Sequence, residues 1–444
     1  MLQALAADTE FVTTIATDPN LSQKDMEVII HNYITTLQCT SLSTVSFQQL
    51  QSKILSYDTT NINFSSIQEL HLAFQLYSDN SSRKKRRQNT SHRMGFTPNQ
   101  NTFHTLEVIS LPHLSQPYPP PDYIVLERTN EPEPRPLLEK DSTCKKPAKF
   151  HRLIESQLQY TLPADKSAII IDEETDEIVA IVIRAFVKAS FPVIKTWATK
   201  LIRETVHRRN TSQRNGNGIL VLFGTSTGPR NNRIVEWVRN LSNRWLNAPD
   251  RNKHDTELSS LFGLFYALVR TQIAPQIIDD FETTINQTNL PRIDFHGNSE
   301  FTIPFEPPLR FSGYKMAPPE GYAAINYVKE IHDDKHFKGC SWGVYWNIVR
   351  EQPQNRVGME SGANFFIADY GLRIVNSENV CVTWNISMNH GTSWYYDSLS
   401  HVGLAFILGK DLENTWHHHK QGEHGPTRFE DGLLIVDASD SEED

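Results

Sequence analysis

Between Pro304 and Lys410 the chain breaks into short β-rich runs separated by Gly, Pro, Asn and Asp. Many short strands with turns at this spacing point to a sandwich or a barrel. The stretch before it is mixed. Ser167–Asp172 and Glu177–Arg184 flank a turn and predict a hairpin. Phe191–Val206 predicts a helix with Val193, Trp197, Leu201 and Ile202 apolar, and Gly218–Gly224 a short strand. Glu257–Ile285 predicts two helices broken near Pro275. Further upstream, residues 1–78 carry helix-like pieces at Lys24–Leu37 and Ser46–Tyr57. Residues 79–149, first basic and then Pro-rich, predict a partly disordered linker that wraps the domain after it. The expected organisation is a small helical region over 1–78, a linker over 79–149, a main domain over 150–436 and an acidic tail over 437–444.

Composition excludes several classes. Of 444 residues 38% are hydrophobic, including 22 Phe, 14 Tyr and 8 Trp, enough to bury a sizeable core and to exclude wholesale disorder. Four scattered cysteines, with no CxxC pair, exclude a disulfide scaffold and suit a reducing compartment. The opening MLQALAADTEFVTT has no basic n-region and does not read as a secretory signal. The longest apolar runs fall far short of the roughly 20 residues that a membrane helix needs. An intracellular protein with no membrane partner is expected.

The chemistry concentrates in Ala323–Phe406. A β-run, Ile325–Ile331, delivers His332, Asp333 and Asp334 at its end. Residues two apart on a strand share a face, so His332 and Asp334 reach one point while Asp333 turns away. A second imidazole would complete a set of two histidines and one carboxylate, a geometry that suits non-haem Fe(II) and leaves positions open for a co-substrate and dioxygen. His390 fits. It follows the β-rich run Val380–Ile386, and Gly391 after it predicts a tight turn. Between the two lies GANFFIADYGLRIVNSENV, which reads as strand, turn, strand, turn. This layout predicts an α+β fold: a double-stranded β-helix core (jelly-roll, cupin-like) with flanking helices, its metal ligands at the ends of two strands.

The order HxD, strand, YGLRI, turn, V-x-W and HG resembles the TET/JBP-like Fe(II)/2-oxoglutarate-dependent dioxygenases, most closely those of fungal type. The resemblance covers 323–406 and extends faintly to the hairpin SAIIIDEETDEIVAIVIRAF. The run INYVKEIHDD is also similar to the N-x-Y…H-x-D strand of AlkB-like oxygenases. What the resemblance implies is an enzyme with Fe(II) and 2-oxoglutarate that oxidises methylated bases in nucleic acid, with His332, Asp334 and His390 as metal ligands. Asn326 and Tyr327, on the first ligand strand, are candidate co-substrate contacts, and each reads equally well as a core or ladder residue. There is one departure. The resemblance implies an Arg on the strand after the second His, to hold the far carboxylate of 2-oxoglutarate, and His401 stands there. Histidine lacks the bidentate fork and the permanent charge of Arg. Either His401 binds the co-substrate more weakly, or Arg373 or Lys410 substitutes, or the domain is inactive and serves as a nucleic-acid or protein binding module.

Other readings of the same residues are weaker. His332 and His336 are four apart, but Asp333 stands where the HExxH zinc pattern needs Glu. The segment GTSTGPRNN lacks the GK[ST] of a phosphate loop, and His417–His419 reads as a polar surface run. The formal charge of −9 argues against a polyanionic partner, yet its distribution does not. The tail DASDSEED alone carries five acids, and the region 191–249 is strongly basic with Trp197, Trp237 and Trp245 interleaved. Arg203, Arg208, Arg209, Arg230 and Arg233 are the candidate contacts to DNA or RNA. Residues 83–87, RKKRR, read as a nuclear-localisation signal.

Overall fold

The computed structural model describes residues 106–421 except 129–132, 135–148, 190, 212–216, 229–232, 305, 307, 314, 352–361 and 397–398. The chain divides into two units, Met1–Pro98 and Asn99–Asp444, and every described residue belongs to the second. The helix-like pieces of the N-terminal region, the basic run 83–87, Arg230 and the acidic tail lie outside the described residues.

Among the described residues the strands are, in chain order, β1 (Glu107–Leu111), β2 (Ile124–Leu126), β3 (Phe150–Arg152), β4 (Tyr160–Leu162), β5 (Ala168–Asp172), β6 (Ile178–Ile183), β7 (Asn217–Ser226), β8 (Glu236–Trp237), β9 (Glu300–Ile303) and β10 (Leu309–Ser312). They continue with β11 (Glu320–Val328), β12 (Trp342–Glu351), β13 (Phe365–Ile367), β14 (Leu372–Ile374), β15 (Val380–Asn385), β16 (His390–Thr392) and β17 (Ser400–Phe406). The α-helices are α1 (Pro192–Arg208), α2 (Arg251–Gln272), α3 (Pro275–Thr288) and α4 (Lys410–Lys420). The expected hairpin is β5–β6. The expected break at Pro275 separates α2 from α3, because proline lacks the N–H that a continuous helix would use and is well placed at a helix start.

The large sheet has nine strands in the order β1-β5-β6-β15-β12-β17-β11-β7-β8, and a four-stranded sheet has the order β16-β13-β14-β4. Residues 329–332, between β11 and β12, extend the smaller sheet: His332 bridges His390, and the Thr392 N–H donates to the Lys329 carbonyl at 3.0 Å. From Glu320 to Phe406 eight segments are therefore shared four and four between the sheets, crossing from one to the other at every step except the β13–β14 hairpin. The sixth, third, eighth and first lie side by side in one, and the second, seventh, fourth and fifth in the other. That is the strand order of a jelly roll, although no barrel closes among the described residues.

Alternation along each strand sorts the two faces of the large sheet. Trp346 and Phe406 point to the helices, where Phe265 of α2 lies 5.7 Å from the Trp346 ring and 5.1 Å from that of Phe406. Val382 and Trp384 point the other way and pack with Ile367, Leu372 and Ile374 of the smaller sheet into a buried cluster. Among the described residues the helices cover one face of the large sheet, and the smaller sheet packs on the other. No helix among the described residues is long and apolar enough to cross a membrane.

Part of the Pro-rich stretch read as linker is built into this fold. β1 pairs in parallel with β5, and β2 with β3. Residues 112–128 then run across the smaller sheet as a strap. Leu114 and Tyr118 donate to the carbonyls of Asp369 and Ala368, Asp122 N–H donates to the Ile331 carbonyl at 2.8 Å, and Ile331 N–H returns a bond to Tyr123 at 2.9 Å. Polyproline coil and strand are both extended, and the partners of this strap lie far away in sequence, so local composition does not distinguish the two.

Candidate metal centre

His332, Asp334 and His390 converge. One ligating atom from each lies within 4.8 Å of the others. Both imidazole Nε2 atoms lie 3.5 Å from a carboxylate oxygen of Asp334, one on each oxygen. On the far side of each ring Nδ1 meets a backbone carbonyl, Glu330 at 2.7 Å for His332 and Met388 at 2.8 Å for His390. A carbonyl only accepts, so each Nδ1 carries the hydrogen and each Nε2 keeps its lone pair for a cation. Burial works against ionisation of Asp334, but the two flanking imidazoles, which donate to it and carry charge when protonated in the absence of a metal, outweigh burial and hold the carboxyl well below its usual range. His332 is raised in turn: burial lowers it and Asp334 overrides burial. The donor set therefore suits a divalent metal with open positions.

Local structure explains the convergence. Gly391 is not the tight turn that the sequence suggested but the middle residue of β16. A Cβ there would lie 2.8 Å from the Glu330 carbonyl and 3.0 Å from the Ile331 Cα, so only glycine lets the two ligand-bearing strands approach this closely. Asp369 accepts from the backbone N–H and the side-chain amide of Asn389, and Glu127 from the strap accepts from Ser393, Asn364 and Arg373. The Trp394 N–H donates to the Val125 carbonyl at 2.8 Å. The strap thus braces both ligand strands from outside the jelly roll, and Asp369 braces the second from within it.

The triad opens onto a cavity of about 450 Å3 between the sheets, with Tyr322, Tyr327, Phe365 and Trp384 among its walls. The Trp384 ring lies 5.4 Å from that of His390. Its indole N–H is buried without a partner, and so is Nδ1 of His401, which also lines the cavity. Arg184 lines the cavity as well. A site with an orphaned donor, a guanidinium and three metal-binding side chains fits an acceptor-rich anionic ligand that also chelates a metal.

The other expected contacts fall differently. Tyr327 lines the cavity. Asn326 has φ +54° at the irregularity in the pairing of β11 with β7, and its side-chain oxygen accepts the His401 N–H at 2.8 Å, one step beyond the last β11–β17 pair, Ile325 with Val402. His401 is buried, and burial, reinforced by the nearby Arg350 charge, lowers its imidazole to about 4. It is neutral at physiological pH and cannot replace an arginine. Arg373 is bound to Glu127 and Glu155 at 3.2 and 2.6 Å on the outer side of the smaller sheet, and Lys410 pairs with Glu413 at the start of α4. Neither is among the cavity's lining residues.

Of the five arginines expected to contact nucleic acid, the four described ones are each held by a carboxylate. Arg203 pairs with Glu351, Arg208 with Asp250 at 2.7 Å and Arg233 with Asp411. Arg209 is inside the protein, 2.5 Å from the equally buried Asp255. Two of the tryptophans are likewise engaged: Trp237 packs on Phe223, and Arg208 and Arg244 cover Trp245. Arg184 was missed as a candidate because it ends a hairpin strand some 150 residues before the ligands, and only the strand order brings it to the cavity.

Compared with protein-family models and with curated proteins, the chain matches none. Among solved structures it is similar to NgTET1 in complex with 5mC DNA, at 8% identity and a TM-score of 0.37, covering 58% of this chain and 86% of that one. It is also similar to HygX from Streptomyces hygroscopicus with nickel and 2-oxoglutarate bound, at 10% identity and a TM-score of 0.25, covering 52% of this chain and 83% of that one.

Proposed function

We propose that the protein is an Fe(II)/2-oxoglutarate-dependent dioxygenase of the TET/JBP-like type on a double-stranded β-helix, oxidising methylated bases in nucleic acid. The observation that carries this reading is the convergence of His332, Asp334 and His390, with both Nε2 atoms oriented by backbone carbonyls, at the wall of an aromatic-lined cavity. Bound Fe(II) with 2-oxoglutarate supplies dioxygen activation for oxidation of a C–H bond. The chain's own residues would hold the metal through His332, Asp334 and His390, shield it from water behind Trp384 and Phe365, and offer aromatic faces for a base to stack on. Incubation of the iron-loaded protein with 2-oxoglutarate and methylated DNA or RNA should yield succinate and an oxidised base, and His390→Ala should abolish both.

A second reading, an inactive domain that binds nucleic acid or protein, starts from one observation: a neutral His401 stands where the resemblance implies Arg. Nucleic-acid binding without iron-dependent succinate formation on any methylated substrate would select it.

A further inference from the structure

Among the cavity-lining residues, arginine and lysine occur as Arg184 and Lys329. Lys329 is paired with its neighbour Glu330 at 2.7 Å. Arg184 has no carboxylate among its hydrogen-bond partners. Its Nε donates to the Lys166 carbonyl at 3.1 Å, Nη1 to the Ser377 hydroxyl at 2.9 Å and Nη2 to the Pro163 carbonyl at 2.9 Å. A guanidinium has five N–H donors, so these three bonds leave one on each terminal nitrogen. Burial lowers its pKa to about 10, opposed by the charge of Asp165, so it stays charged at neutral pH while short of a bonded counter-ion. A partly buried cation held by neutral acceptors is the local chemistry of an anion site.

Its position relative to the triad follows from the register. Ile183 pairs with Cys381, so Arg184 stands level with Val380, on the cavity face of the sheet. Trp384, whose ring lies against His390, is four residues further along β15, about 13 Å at the rise of an extended strand. A five-carbon diacid and an arginine side chain together span such a gap.

We infer that Arg184 holds the far carboxylate of 2-oxoglutarate, replacing from a strand outside the eight-segment roll the cation missing at position 401. The inference rests on the dioxygenase reading. It explains how β17 can carry a neutral histidine without loss of the dicarboxylate site. Arg184 is a binding residue here and takes no part in the chemical step.

The test is binding rather than turnover. The full-length protein loaded with Ni(II) is titrated with 2-oxoglutarate and with pyruvate, which has the same metal-chelating end but no far carboxylate, and binding is read by calorimetry. Wild type should prefer 2-oxoglutarate. Arg184→Gln should weaken 2-oxoglutarate by about tenfold to a hundredfold, the worth of a charged hydrogen bond, and leave pyruvate unchanged. Arg184→Lys, which keeps the charge and loses the fork, should retain part of the preference, and it serves as the test if the Gln variant does not fold. An unchanged preference in Arg184→Gln, or loss of 2-oxoglutarate and pyruvate alike in a folded variant, overturns the inference. If wild type binds Ni(II) but neither acid, the dioxygenase reading itself falls.

Discussion

Asp369 grips Asn389 twice, accepting its backbone N–H at 2.8 Å and its side-chain amide at 2.9 Å, and Asn389 immediately precedes His390. The Ala368 N–H closes the pair by donating to the Asn389 carbonyl at 2.7 Å. Asp369 therefore fixes the backbone from which a metal ligand projects, without touching the metal position. Asp369→Ala should weaken Co(II) affinity by about tenfold to a hundredfold, the usual cost of removing an outer support. His390→Ala and Asp334→Asn should reduce binding much further. Competition titration with a chromogenic chelator measures all three, and an Asp369→Ala affinity equal to wild type would remove Asp369 from the site.

Gly391→Ala tests why glycine follows the second ligand. The added methyl meets the Glu330 backbone at 2.8 Å, and neither strand can yield without moving His332 away from His390. The expected result is a loss of about 1–3 kcal/mol in urea unfolding, as for overpacking elsewhere, together with weaker Co(II) binding. A variant with intact metal affinity would show that the strands relax without separating the ligands.

Arg209→Ala should damage the fold rather than nucleic-acid binding. Its partner Asp255 would remain buried without a permanent counter-charge, with His254 beside it, at a cost of about 3–5 kcal/mol. A folded variant with wild-type stability but reduced affinity for nucleic acid would return Arg209 to the binding surface.

Glu320 makes stability depend on pH. Burial raises its carboxyl to about 8, opposed by the Gly409 N–H and assisted by Asp411. The folded value lies above the unfolded one, so the folded state binds this proton more tightly. The contribution is fully present below about pH 4.5 and is lost as pH rises through about 8. The melting temperature of wild type should fall relative to Glu320→Gln between pH 5 and pH 9. Parallel curves for the two proteins would show that Glu320 does not titrate in this window.

Much of the centre was legible because its signals are local. His332 and Asp334 lie two apart at the end of a β-run, and the turns that separate the later strands bring His390 back to them. The hairpin and the helix break at Pro275 are equally local. The supports were not legible. Glu127 meets Asn364 and Ser393 across 237 and 266 residues, and no composition or spacing near Glu127 marks it. The ion pairs of the basic region were hidden for a related reason: sequence shows the arginines, while the carboxylates that take them up, Asp250, Asp255, Glu351 and Asp411, are scattered through the chain. Gly391 was read as a turn because a glycine's need for space is visible only beside the strand it touches.

The strap over 112–128 also orders events in time. It is made before the metal ligands as the chain is synthesised, yet its bonds to Ile331, Ser393 and Trp394 form only once the last strands exist. Contacts of such sequence separation close late in folding. A chain still emerging, or one that has misfolded at its N-terminal side, would present His332 and Asp334 without their bracing, and tight metal uptake would mark the finished molecule.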